Sequence, residues 1–525
     1  MDKSEMKVDV IRHFLARGTF IVVVLCTICA VSGAKTRYIS AVGQDSGGGT
    51  ATRPWRTFDF AVARLNPGDT LLLKDGVYSV RNSGFPTINC SAGARNGLAD
   101  APITIQAEHE RRAFLQGNGV LGPFVMRNCR YWHVVGLHIE NHVDTPTPNT
   151  NVHNMYFENC DHLSIRRNLV AYVNRYYNDH TILLTHTTDT LIEENEIYYF
   201  NRHGLAIGYG NGSNMGHNLI RRNYANSRGY ADCTFAGCRG SDDPTQGDAA
   251  FIAYPNGDDV FENNISENNQ RGFDIEAAWV AYGSNNNKWM GDISLDDSYG
   301  ARFAARCEEG QSDACMPQNS SLENFVAADS AAIGVYSRSA KATSCTHCTI
   351  VAGPQSKAEF VGISADVAGV NIGDGNYSIF LTNTVVVGSG KGVAVSLNTH
   401  SGNWSWKVDH LNIYNFRSDF SPALEKLLAV THVNPSLGTC YLWLPDNSPL
   451  KTAGINGADI GANVLYRYEN GTLTSLALWS KDGDFPHGAV VPGLNDAPGN
   501  SLIGLKDRLN INRNGCSFPS GYKGW

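Results

Sequence analysis

Between Leu163 and Arg306 the apolar and polar positions of the chain fall into a pattern that returns. Ile165-Arg-Arg-Asn168, Ile192-Glu-Glu-Asn195, Ile220-Arg-Arg-Asn223 and Phe261-Glu-Asn-Asn264 each set one apolar residue, two polar residues and an asparagine. The asparagines stand 27, 28 and 41 residues apart, and the last interval reads as one repeat enlarged by an insertion at Asp232–Gln246. A fixed period of this length marks units that bury their apolar faces only by stacking on neighbours. Each unit has strand-forming content: Thr190–Phe200 is rich in aromatic and β-branched residues between turn formers. A second short apolar run follows each asparagine (Leu205–Ile207, Ala250–Ile252, Phe273–Ile275, Ala301–Phe303), with Gly204, Gly272 and Gly300 just ahead of three of them. Several short strands per repeat describe one coil of a parallel β-helix. The asparagines are expected to form a ladder at a bend, each in the left-handed conformation and bonded through its amide to its equivalent one coil away. A β-sandwich with asparagine-rich turns has no such internal period.

Outside this stretch the pattern changes twice. Trp55–Leu65 spaces apolar residues as a helix does, with Phe58, Val62 and Leu65 on one face, and Asn66-Pro-Gly-Asp69 ends it. A helix there is expected to cover the open end of the stacked core. Further coils are placed around Asn128–Trp132, Ser321–Asn324, Thr346–Ala352, Ile379–Val387 and Val408–Phe416. Beyond Pro422 the period is lost. At the other end, Arg12, His13 and Arg17 flank an apolar run from Phe20 to Val31 that closes on Ser32-Gly-Ala34. That is the order of a cleaved export signal, and the run is short for a membrane span. The expected organisation is a signal over 1–34, a β-helix over 35–421, and an irregular extension over 422–525 that packs on or caps the helix. The mature protein is expected to be extracytoplasmic, free of the membrane and monomeric.

Composition narrows the partners. The chain has 525 residues, 53 of them glycine, and only 18% are charged, which suits a turn-dense all-β protein. A net charge of −8 argues against nucleic acid. Of thirteen cysteines, Cys26 and Cys29 lie in the signal, which leaves an odd number. Cys233 with Cys238, Cys307 with Cys315, and Cys440 with Cys516 are the pairs proximity suggests. Cys345-Thr-His-Cys348 lacks a second cysteine pair at metal spacing.

Two groups of residues carry candidate chemistry. In Gly272-Phe-Asp-Ile-Glu276, side chains alternate, so Asp274 and Glu276 share a face opposite Phe273 and Ile275. Arg302 stands 28 residues after Asp274, one coil on, where stacking at about 4.8 Å would let the two touch. Asp248 opens the coil before, and Asp242 and Asp243 lie in the insertion. The second group is Tyr176, Tyr177, His180, His186, Arg202 and His203, aromatics and cations suited to stacking on sugar rings and holding acidic groups. Taken singly, the histidines read as exposed turn or loop residues.

Tyr38-Ile-Ser40, a glycine-rich loop, the amphipathic stretch, Pro67-Gly-Asp-Thr70 and Asp75-Gly-Val-Tyr78 together resemble the N-terminal segment of secreted right-handed parallel β-helix proteins of the pectate-lyase-like superfamily. The likeness runs from Lys35 to about Phe416. The charged coils resemble polysaccharide lyase family nine, the calcium-dependent pectate lyases and their relatives. Asp248 matches that family's first acidic position. Asn268-Asn-Gln-Arg-Gly-Phe-Asp274 matches its second motif with Gln270 and Arg271 in place of two calcium-ligating aspartates, and Gly300-Ala-Arg302 has arginine where the family has its basic lysine. Calcium wants six to eight oxygen ligands, so a calcium site is expected only if Asp242, Asp243 or Glu276 compensates.

The resemblance implies a polysaccharide-active enzyme, foremost a β-eliminating lyase on a uronic-acid-containing polysaccharide. A glycoside hydrolase, a uronate epimerase and a non-catalytic binding or adhesive protein are the alternatives. The candidate catalytic residues are Arg302, Asp274, Glu276 and Asp248. The candidate substrate-binding residues are Arg271, Tyr177, His180, Arg202, His203 and Tyr282.

Overall fold

The repeating segments form short strands that pair in parallel with strands one coil away. A computed structural model describes residues 33–141, 152–173, 179–208, 216–227, 248–254, 257–277, 284–305, 316–354, 356–366, 376–397, 403–421, 428–438, 441–479 and 518–523. Of residues 275–277 only the backbone is described. One coil comprises Leu191–Glu193, Glu196–Tyr198 and His203–Ile207, and each strand pairs with its equivalents in the coils on either side. The third strand of successive coils builds one continuous parallel sheet of twelve described strands, from Thr87–Asn89 to Ser418–Ser421. The first and second strands merge into single long strands at Asn376–Val387 and Asn403–Tyr414. The result is a parallel β-helix.

The repeats stay in register through their turns. Asn195 Oδ1 accepts from the backbone N–H of Asn168 at 3.0 Å and from its Nδ2 at 3.0 Å. Asn223 does the same for Asn195, and Asn264 for Asn223. The file ends on Asp292, which accepts from Asn264 Nδ2 at 2.9 Å. All five side chains are buried. The expected ladder therefore exists, with one correction. The left-handed residue is the one before each asparagine: Arg167, Glu194, Arg222 and Asn263 have φ of 57, 58, 53 and 53°. The asparagine that follows is buried, and its amide reaches the next coil.

Glycine has a second role at the start of the third strand. A Cβ on Gly272 would lie 2.7 Å from the carbonyl oxygen of Gly300, and one on Gly300 would lie 2.5 Å from that of Gly334. The coils approach too closely there for any side chain. Just beyond, Phe251 and Phe273 stack in the core with centroids 5.2 Å apart, and Phe273 also meets Trp289 and Phe325. These inward rings set which residues of the same strands face outward.

At the N-terminus the helix is shorter than its spacing suggests, five residues over Phe58–Val62, yet Phe58, Val62 and Leu65 do bury themselves in the core. Cys90 and Cys129 form a disulfide across early coils, a pairing that proximity in sequence did not suggest. Cys345 and Cys348 are bonded to each other. Cys160 is free and buried. The three close cysteine pairs, the insertion and nearly all of the export signal that the sequence led us to expect lie outside the described residues. No described helix is long and apolar enough to cross a membrane.

The C-terminal segment lies along the coils. Leu442, Trp443, Val464, Leu465, Leu478 and Trp479 form one buried cluster with Leu169, Tyr198, Tyr224, Ile265, Ile293 and Val326 of the second strands. Glu469 receives Arg222 at 2.8 Å and also pairs with Arg221, and the Tyr468 backbone N–H donates to Asn263 at 2.8 Å. This face is formed by the second strands and their turns, not by the sheet of third strands that carries the candidate site.

Candidate active site

The register brings the candidate charges together. Phe273 pairs with Ala301 and Asp274 with Arg302. Ile252, Asp274, Arg302, Tyr336 and Ser364 follow one another down the outward side of the sheet. Arg302 grips Asp274 with both arms of its fork, Nε to Oδ1 at 2.9 Å and Nη2 to Oδ2 at 2.6 Å. Arg271 lies between two carboxylates: its Nε is 3.1 Å from Asp274 Oδ2, and its Nη2 pairs with Asp248 Oδ1. Asp248 Oδ2 lies 3.2 Å from His203 Nε2. Side-chain exposure is 0% for Asp274, 8% for Arg271, 11% for Arg302 and 13% for Asp248, so the cluster is largely desolvated and open at its edge. Pairs so placed interact far more strongly than exposed ones, and breaking one leaves a buried charge alone.

Hydrogen-bond chemistry fixes the charges. A guanidinium only donates. Both oxygens of Asp274 therefore accept, and Asp274 is a carboxylate. Burial opposes the charge on Arg302, but the charge and hydrogen bonds of Asp274 outweigh it and raise its affinity for the proton above the ordinary arginine value. Arg302 thus holds its proton and supplies fixed positive charge.

Around this core stand further groups. His203 Nδ1 is 3.1 Å from His180 Nδ1 and 3.4 Å from the Tyr254 hydroxyl, which also receives Arg202 Nη2 at 3.3 Å. His180 and His203 are buried strand residues, which corrects the reading of them as exposed turn residues. Both are the first residue of a strand in the sheet of third strands, and the two pair with each other across adjacent coils. Burial, reinforced by His153 and Arg202, holds His180 well below the usual histidine range and hence neutral. His186 does sit in a turn, with φ of 47°, and is not part of the cluster.

Sequence reasoning missed Tyr336 and Asp366. Tyr336 is the register partner of Arg302 one coil further on, and its hydroxyl donates to Asp366 Oδ2 at 2.7 Å. Burial first, then the Asp366 hydrogen bond and charge, raise the tyrosine above its ordinary value, so it remains a proton donor. The coil from Arg302 to Tyr336 is 34 residues long, so the 28-residue period carried past Arg302 lands on Ser330 and does not find it. Glu276 pairs through its backbone with Ala304; its side chain, together with Tyr176, Tyr177, Tyr282, Asp242 and Asp243, lies outside what is described.

Among the described residues, the side chains at the place where the family resemblance implies calcium do not form an oxygen cage; Asp242, Asp243 and the Glu276 side chain lie outside them. Calcium needs a cage of oxygens. Here the Arg271 guanidinium already bridges Asp248 and Asp274, as a cation between two carboxylates would.

Fold and site together define a right-handed parallel β-helix protein with a buried arginine–aspartate cluster on one sheet face. The chain belongs to the Pel9A-like right-handed β-helix family, whose model, described as "Pel9A-like, right handed beta helix region", matches residues 37–344. Among solved structures it is similar to pectate lyase Pel9A, with 14% identity over 82% of this chain and 96% of that one and a TM-score of 0.44. It is also similar to the GH136 lacto-N-biosidase of Eubacterium ramulus (13% identity, 76% and 68% coverage, TM-score 0.42) and to an alginate lyase of Paenibacillus sp. (14% identity, 72% and 99% coverage, TM-score 0.37). A search of curated proteins found no match.

Proposed function

We propose that this chain is an exported, monomeric enzyme that cleaves a uronic-acid-containing polysaccharide by β-elimination, without calcium. The observation that supports it most is the pair of arginines, Arg271 and Arg302, locked in place by Asp248 and Asp274 on adjacent coils. Removing the proton beside a uronate carboxylate builds negative charge on that carboxylate, and preorganised guanidinium groups stabilise such charge without reorganising. Tyr336, held protonated one coil away, is the proposed donor to the departing glycosidic oxygen. The proposed acceptor is the Tyr299 oxygen, on the coil between Arg271 and Tyr336 and with its ring centroid 6.0 Å from that of Tyr336. The His203–Asp248 pair, three to four coils from Tyr336, is proposed to hold Arg271 in place. His180, Arg202, Tyr177 and Tyr282 are proposed to shape the substrate site, and Glu276 stays a candidate on the same strand as Asp274.

The hydrolase reading draws less support. It needs one protonated and one ionised carboxyl, whereas Asp274 accepts at both oxygens and Asp248 faces Arg271 and His203.

The test is incubation of the mature protein with pectate, alginate and glycosaminoglycans in the presence of a chelator. Ultraviolet absorbance from unsaturated uronate products is expected. New reducing ends without that absorbance would replace the lyase by a hydrolase. Binding with neither signal would leave a non-catalytic carbohydrate-binding protein.

A further inference from the structure

The sheet that carries the charged cluster also carries a cavity of about 380 Å³ further toward the N-terminus. Its wall includes Leu121, Arg127, His153, Tyr156, His180 and Leu183. Tyr156 and Leu183 belong to the same outward file as Asp274: Tyr156 pairs with Leu183, Leu183 with Ala206, Ala206 with Ile252 and Ile252 with Asp274. Four coil steps at about 4.8 Å place Tyr156 roughly 19 Å from Asp274 along the helix, while His180 on the cavity wall meets His203 at the edge of the charged cluster at 3.1 Å. Between Tyr156 and Asp274 the file is apolar and buried.

The two sites differ in charge. Among the described residues Arg127 is the one arginine or lysine on the cavity wall, and Glu158 already holds it, Nε to Oε2 at 2.7 Å. His153 receives the His180 backbone N–H on Nδ1 at 3.1 Å, and burial brings it down to about 4. His180 is likewise neutral. Asp179, beside the cavity, is buried; burial pushes its carboxyl up to about 8, and its Oδ2 has no partner among the described residues. An uncharged carboxyl and two uncharged imidazoles offer hydrogen bonds without net charge. The Tyr156 ring and the Leu121 and Leu183 side chains offer an apolar surface, which suits the C–H face of a sugar ring.

We propose that this cavity is a second carbohydrate site, selective for an uncharged sugar unit of the polymer whose uronate part occupies the arginine–aspartate cluster. The proposal rests on the lyase reading for the polymer and on the cavity itself for the neutral unit. The natural substrate is then a heteropolysaccharide, acidic at the point of cleavage and neutral several units away.

Titration calorimetry tests it on the full mature chain. The probes are uncharged hexasaccharides of glucan, galactan, mannan and arabinan, set against hexauronates of galacturonate and mannuronate. At least one uncharged probe is expected to bind, and its affinity is expected to fall roughly five- to tenfold in Tyr156→Ala and in Leu121→Glu. Leu121 is 48% exposed, so its substitution reports on the cavity mouth even if the tyrosine variant fails to fold. Binding of a hexauronate is expected to weaken in Arg302→Lys, in which binding of the uncharged probe persists. If no uncharged probe binds, or both cavity variants bind it as the parent does, the second site is overturned. If uncharged probes bind as expected and no uronate binds or is cleaved, the second site stands while the acidic-polymer reading falls.

Discussion

Asn223 shows what a single ladder residue does. It accepts from Asn195 twice, donates to Asn264 and to the carbonyl of Ile192, and is fully buried. Asn223→Ala keeps the backbone N–H bond to Asn264 but removes the side-chain bonds and strands buried partners, so a loss of about 3 kcal/mol is expected in urea unfolding. Asp297 gives a different effect. It closes a second ladder, accepting from Asn269 and from the hydroxyls of Ser266 and Ser294, and burial pushes it up to about 7 despite those bonds. Its folded value lies above the unfolded one, so its contribution is full at low pH and is lost as pH rises toward that value. The slope is about 1.4 kcal/mol per pH unit for one such group. Asp297→Asn keeps the shape and removes the titration. Urea unfolding at about pH 5 and about pH 7 is expected to show a flatter dependence in the variant than in the parent. At the site, Tyr336→Phe removes the proposed proton donor, and turnover is expected to fall by roughly 10²- to 10⁴-fold with substrate affinity little changed. Equal turnover in the variant would remove Tyr336 from the reaction.

At the scale of elements, the strand Arg271–Ala277 and its neighbour Tyr299–Ala305 carry most of the chemistry, and much of that was legible. The alternation of Phe273 and Asp274 and the 28-residue step to Arg302 were enough to place the pair in contact, because a coil of constant length turns sequence distance into register. What was not legible is conformational. A motif with Arg271 in an aspartate's place says calcium is disfavoured, but not that the guanidinium turns back between Asp248 and Asp274, since its strand-end position leaves its direction to tertiary packing. The ladder turns show the same limit: the period locates the asparagine, while the steric demand of the turn falls on the residue before it. The Arg271 arrangement makes a metal prediction. Chelator is expected to leave activity unchanged, and Arg271→Asp, which restores an acidic group beside Asp248 and Asp274, is expected to gain calcium binding by calorimetry that the parent lacks. Calcium-dependent activity in the parent would defeat this reading.

At the scale of the whole molecule, the C-terminal segment and the sheet of third strands divide the labour. The segment covers the apolar second strands with Trp443 and Trp479, both buried, and anchors itself through Glu469 to Arg221 and Arg222. Trp479→Ala is expected to cost about 3–5 kcal/mol by the cavity it leaves, read as a lower midpoint in urea. Because the described contacts of the segment lie away from Asp274 and Arg302, the surviving folded fraction is expected to keep its specific activity. The period's loss after Pro422 was visible in sequence; the surface on which the segment lands was not, because no repeat records it.

The asparagine file that ends on Asp292 has a direction. Each amide donates toward the C-terminus, and the file of asparagine amides stops at Asp292, although the coils themselves continue beyond it. Coils can therefore be gained or lost upstream of it by duplicating one 27- or 28-residue unit, each newcomer finding a donor on one side and an acceptor on the other. A unit added after Asp292 would meet no asparagine partner and would be held, as the coils at Ser321–Glu323 and Thr343–Thr346 are, by strand pairing and the apolar core.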